Sequence, residues 1–333
     1  NRLWGDFNYY TRDDKDQIIS VTSAPQSGYS TRKMNAGLIR NRGVELSLGG
    51  MPVSTKNWKW EMNFNIAKNS NKLVELADGV DSYSIYWTSF TTRLYNYAMV
   101  GKSLGVITGN TWERDDNGNI IFHELSASQK ALYGGEYVPT YNQNTLDELG
   151  NFHPDFTGGF NTSISFKNFR LSANIDFSVG GQIVSYTNMW GSSSGILDKT
   201  AELNDRGVNV REPVSKGGGI HMTGVDQDGN KVDTYVNAKL YYTTASRVWE
   251  EWVYDRTYVK LREVSLSYVF PSQTLKKLNI GLSRASVAIN ASNPWLIYSA
   301  CPNVDVSEIG MGYFEGGNAA ATRSIGFTVN LAF

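Results

Sequence analysis

The sequence predicts an all-β protein, an antiparallel segment of a transmembrane β-barrel. Three observations carry this. Long stretches alternate apolar and polar residues with period two, as strands with one apolar face do. The connections between them alternate short and long. No stretch approaches the roughly 18 uninterrupted apolar residues of a membrane helix, and mean hydropathy is −0.36. A barrel stays compatible with that value because every second strand residue faces the lumen and can be polar.

The 333 residues suffice for one large all-β domain or two smaller ones. The first strand is expected over about 4–22, through Phe7, Tyr9 and Ile18. The second covers about 36–50, with Val44, Leu46 and Leu48 set against Glu45 and Ser47. A short connection, GGMPVSTKN, leads to WKWEMNFNIAKN, where Trp58, Trp60, Met62, Phe64 and Ile66 alternate with Lys59, Glu61, Asn63 and Asn65. After a long region, about 71–155, FTGGFNTSISF and FRLSANIDFSV flank a two-residue turn, Lys167-Asn168. Another long region fills about 187–255. YVKLREVSLSYVFP then passes through SQTLKK, read as a short turn, to NIGLSRASVAINAS. A third long connection, about 299–322, precedes RSIGFTVNLAF.

This makes about eight main strands with short connections at one end and long ones at the other. Outer-membrane barrels have that asymmetry, with short periplasmic turns and long extracellular loops, whereas soluble sandwiches have shorter strands. Aromatics gather beside the short connections: Trp58 and Trp60, Phe166 and Phe169, Tyr268 and Phe270. Their apolar bodies and polar tips suit a membrane interface. Phe333 is expected at that same level, with Ile325, Phe327, Val329 and Leu331 facing lipid. The N-terminal NRLWGDFNYYTR reads as a strand already under way, so the chain reads as part of something longer.

Several segments resemble the SusC-like (SusC/RagA) TonB-dependent outer-membrane transporters of Bacteroidota. NAGLIRNRGVELSLGGMPV and WKWEMNFNIAKNSNKLVEL are similar to the family's N-x-G-x-x-x-N-x-G-x-E strand and its partner. VGKSLGVITGN resembles its G-x-P-x-G segment, with Ser103 in place of proline. FHPDFTGGFNTSISFKNFRLSANIDFSVGGQI resembles the P-D-(F/Y)-x-x-G-F strand pair, and RTYVKLREVSLSYVFP the R-x-x-(Y/F)-(L/V)-(K/R)-L-(R/K) strand. ATRSIGFTVNLAF is similar to the terminal strand. Where the family often has D-P-E, this chain reads Asp305-Val306-Ser307-Glu308.

The resemblance spans nearly the whole chain, motif after motif in order. It implies the C-terminal part of a barrel of roughly 22 strands, the size of plugged outer-membrane transporters, with the plug domain and TonB box outside this chain. It further implies nutrient uptake: a SusD-like surface lipoprotein caps the loops, TonB acts through the N-terminal portion, and the cargo is a large glycan or peptide. The implied location is the cell outer membrane. Lumen-facing Arg170, Asn174 and Asp176 are then candidates to contact the plug. An alternative reading is a small outer-membrane barrel or adhesin that binds ligand through its loops without transport.

Little points to catalysis. His153, Asp155 and a loop serine could be combined on paper, but no nucleophile elbow frames a serine. DDNGN (115–119) and DQDGN (226–230) read as tight turns; the second lacks the distal glutamate of a calcium loop. KGGGIHM (216–222) follows no strand-to-helix signature and is not a phosphate loop. One cysteine, Cys301, and three separated histidines give no metal cluster, so no metal or cofactor is expected. A net charge of −1 gives no basic surplus for nucleic acid. Ligand contacts are instead expected from loop aromatics beside amides, with Trp87, Trp112, Trp190 and Tyr313 as candidates.

Overall fold

The computed structural model describes residues 2–22, 31–35, 37–88, 92–278, 281–309, 314–316 and 321–333, without the side chains of 19–22, 31, 32, 34 and 35. Eight strands form one sheet: β1 (Leu3–Lys15), β2 (Leu38–Ser54), β3 (Trp58–Glu75), β4 (Phe156–Phe166), β5 (Phe169–Val179), β6 (Tyr258–Val269), β7 (Arg284–Ser299) and β8 (Ser324–Ala332). Their spatial order is their chain order, and every pairing is antiparallel.

The register explains the alternation. Leu46, Ile66, Gly158, Phe177 and Val259 share one transverse row, and Phe166, Trp58, Phe169, Tyr268, Val287 and Val329 share another. All lie on a single apolar face. The opposite face carries polar rows, of which Asn63, Asn161, Asn174 and Glu263 form one. The apolar face is not covered: Leu171 is 46%, Ile289 48% and Phe327 79% exposed.

Glycines mark two close approaches on the polar face. A Cβ at Gly43 would collide with the ring of Tyr10, and one at Gly49 with the indole of Trp4. In each case an aromatic on β1 lies over a bare backbone on β2, the usual cover for a glycine that would weaken a strand.

Two expectations need correction. The first strand is interrupted after Lys15: Ile18–Thr22 pairs with Thr31–Asn35 as a separate two-stranded ladder that keeps the register of Lys15 opposite Leu38. The interruption falls at Asp16, whose φ is +55° and whose N–H donates to the Gly37 carbonyl. SQTLKK is a helix, Ser272–Leu278, started by Pro271 and burying Leu275. The long regions between wall strands span 76–155, 180–257 and 300–323.

These connections hold the hydrophobic core. Leu94, Ile107, Trp112, Val184, Tyr186, Met189, Tyr242, Val248, Trp249 and Trp252 form one buried cluster drawn from the first two. A four-stranded sheet (Ser82–Thr88, Leu94–Met99, Val106–Gly109, Asp147–Asn151) and helices Tyr186–Ser193 and Ala238–Ala245 supply it. The third connection joins through Phe314–Glu315, which pairs with Gln182–Ser185. Glu315 is buried there and accepts hydrogen bonds from Ser185 Oγ and from Thr187 N and Oγ1. A carboxylate at the start of the Tyr186 helix satisfies its free N–H groups and its dipole.

Candidate functional site: the loop end and the polar face of the wall

The polar face is a groove. Trp4, Glu61, Asn63, Arg170, Asn174 and Glu263 line a concavity of about 350 Å³ there. Arg170 donates to Ser163 Oγ at 3.2 Å and lies 3.8 Å from Glu61. Arg170 and Asn174 thus face the groove. Asp176 lies on the same face, but its carboxylate is engaged by Arg262, Nε to Oδ1 2.8 Å and Nη2 to Oδ2 3.0 Å, and by the Tyr258 hydroxyl.

That contact belongs to a larger clamp. Between Leu261 and Glu263 the β6 register shifts: Arg262 is an extra residue against β5, and on the other side it stands opposite the unpaired Asn293 and Pro294 of β7. A bulge of this kind re-aims a side chain. Arg262 bridges Asp176 to Glu308. Lys260, 2% exposed, donates to Asp305 and Glu308 at 2.7 Å each and to Ser307 Oγ at 3.1 Å. All three lysine protons find acceptors, the condition for burying an ammonium. Asp305 also caps the turn through Ser307 N. Burial would raise its pKa, but hydrogen bonds from Lys260 and Ser307 outweigh this and hold the carboxyl below its usual range. Glu308 is lowered as well, first by its bond to Lys260.

The clamp explains the Asp305–Glu308 stretch. Both carboxylates are held by the wall; of the two residues between them, Val306 is buried beside Cys301 and Ile183, and Ser307 offers its hydroxyl to Lys260. The clamp residues were visible as sequence motifs without a role; their meeting needs β6 and the third connection brought together.

The aromatic candidates divide. Trp87 is 58% exposed on the loop sheet and stacks on Tyr95, which stacks on Tyr97. Trp190 is 44% exposed on a helix. Trp112 is not a surface platform: it is 2% exposed, and its indole N–H donates to Glu251 Oε1 at 2.6 Å. It packs in the core because the chain on either side crosses over the Trp249–Trp252 turn, with Trp112 N bonded to Glu250. Tyr186 is core too, edge-on to Trp249 and Phe314. Tyr313 lies outside the described residues.

At the short-connection end, Trp58 contacts Phe166 at 4.3 Å, Phe169 contacts Tyr268 at 4.7 Å, and Tyr268 meets Phe270 edge-on at 5.1 Å. Trp60, one outward place further in, donates its N–H to Thr162 Oγ1. Phe333 is at this end as well, 86% exposed, but two outward places beyond Val329 and so past the Trp58–Tyr268 row.

Among the described residues no catalytic geometry appears. His153 is bound through its backbone N–H to Asn151, and burial, with Arg256 nearby, lowers its pKa. Asp115 and Asp226 each fold a tight turn by accepting from the backbone two and four residues on. Burial pushes the Cys301 thiol up to about 12, which keeps it protonated. Among the described residues no group of three or more His, Cys, Asp or Glu could hold a metal.

No protein-family profile matches the chain. TonB-dependent receptor P3 of Formosa agariphila is 28% identical over 92% of this chain, which corresponds to 29% of the receptor. TonB-dependent receptor SusC of Bacteroides thetaiotaomicron is 30% identical over 55% of the chain and 18% of the receptor. The RagAB peptide importer in its closed-closed state superposes over the whole chain with a TM-score of 0.71 at 19% identity, covering 34% of that structure's chain. The chain thus spans about a third of the length of the relatives that match it end to end. They are receptors and transporters, not enzymes. Ordered motifs, relatives along nearly the full length and an eight-stranded meander together make this chain similar to a part of the β-barrel of SusC-like TonB-dependent receptors.

Proposed function

We propose that this chain is the wall and loop portion of an outer-membrane importer. One observation supports it above the others. The sheet buries neither face: one is continuously apolar and exposed, the other polar and concave. Lipid satisfies the first and a lumen the second. The row from Trp58 to Tyr268, with Trp60, Phe270 and Phe333 near it, forms the periplasmic girdle. Arg170 and Asn174 meet the plug, while Asp176 braces the wall. The folded connections are extracellular and receive a large glycan or peptide delivered by a SusD-like lipoprotein, and TonB draws on the plug outside this chain.

The test uses the full-length receptor in its native host. An affinity-tagged receptor is expected in the outer-membrane fraction, to co-purify with a surface lipoprotein, and to support TonB-dependent growth on its cargo. A receptor that binds cargo at the surface but supports no TonB-dependent uptake would instead establish the adhesin reading.

A further inference from the structure

The loop body carries an open cleft of about 500 Å³ between the segment 113–143 and the helix Ala238–Ala245. Its volume falls in the range of small-ligand sites. Val138, Pro139 and Leu240 contribute apolar surface, and His123 lines it beside them. Two opposite charges also line it, Glu113 and Arg247.

These charges are uncommitted. Their neighbours Arg114 and Glu250 pair with each other at 2.7 Å. Glu113 and Arg247 have no ion-pair partner among the described residues, and the guanidinium makes only a 3.5 Å contact with the Tyr141 hydroxyl. Both are nevertheless held in place by backbone. Glu113 N donates to the Thr140 carbonyl. The Arg247 carbonyl accepts from Asn110 Nδ2 and Thr92 Oγ1, two buried side chains. An anion and a cation on anchored backbone, both exposed and not satisfying each other, with apolar surface beside them, are complementary to a ligand of the reverse polarity.

We propose that this cleft binds a small zwitterion of the amino-acid or short-peptide kind. Its ammonium is directed to Glu113 and its carboxylate to the Arg247 guanidinium, which suits planar two-oxygen recognition. An uncharged body lies against Val138, Pro139 and Leu240. This deepens the importer reading by naming a ligand class for the loops, and it rests on that reading only for the cleft's extracellular position.

Calorimetry on the purified full-length receptor in detergent tests it, with trialanine, its N-acetylated and C-amidated form, and maltotriose as probes. Trialanine is expected to bind, and the blocked form at least ~10-fold more weakly, the size of losing a charged hydrogen bond. Glu113→Gln and Arg247→Gln are each expected to weaken trialanine by a similar factor while leaving the thermal unfolding of the receptor unchanged. Absence of trialanine binding, equal binding of the blocked form, preference for maltotriose, or indifference to both substitutions would overturn the proposal. Because binding is read without TonB or lipoprotein, that result is separate from the uptake assay in cells.

Discussion

Lys260 Nζ on β6 and Asp305 Oδ2 in the third long connection lie 2.7 Å apart, with the lysine almost wholly buried. The pair fastens a connection to the wall at one point, and Glu308 and Arg262 extend it.

Removing the cation should free that connection. Lys260→Met leaves Asp305, Glu308 and Asp176 facing one another with Arg262 alone to offset them. Breaking a buried pair costs about 3 kcal/mol, less where a partner such as Glu308 reaches solvent. The expected outcome is faster proteolysis within 300–309 of the detergent-solubilised receptor, with the barrel still resistant.

Acid should do the same reversibly. Asp305 and Glu308 have folded-state pKa values below their ordinary ones. Their stabilisation is therefore fully present above the unfolded carboxylate values, roughly pH 4, and is lost as pH falls through the lower folded values. Proteolysis of the connection by an acid-active protease should stay slow at pH 4 and rise only below it. In Lys260→Met that rise should begin at higher pH.

Trp112 and Trp87 should behave oppositely. Trp112→Ala empties a core position and should cost about 3–5 kcal/mol in the stability of the loop body, read as lost hydrogen-exchange protection in 94–112 and 238–252. Trp87→Ala, at an exposed site, should change stability by no more than ~0.5 kcal/mol. Any effect should appear in cargo affinity alone.

The apolar face should reject charge. Ile289→Arg, in the middle of β7, is expected to cost about 2–4 kcal/mol in a bilayer and to reduce the heat-modifiable folded band on gels of outer-membrane fractions. Asn290→Arg, one residue on and facing the other way, should leave that band near its normal intensity.

The wall was legible from the residues because its information is local. Phe156–Phe166 and Phe169–Val179 have the bounds their alternation suggests, and Lys167, with φ +52°, makes the turn between them. Period two sets which side chains share a face, and each strand pairs with the next in the chain, so no distant contact had to be guessed. The first strand was expected unbroken over about 4–22; its ladder breaks at Asp16, and Ile18–Thr22 resumes pairing in the same register.

The loop body was not legible. Its core joins Trp112 to Trp249 and Trp252 across more than a hundred residues, in segments without a regular period. An aromatic there reads the same whether it meets solvent or another ring, which is why Trp112 was expected outside. The clamp of Lys260 with Asp305 and the cleft between Glu113 and Arg247 have the same origin. By itself the sequence determined a wall with one face for lipid and one for a lumen, because side-chain direction in a strand follows from parity. Only the tertiary structure decided which loop aromatics are core and which charges remain uncommitted, because those outcomes depend on how long, aperiodic connections close on one another.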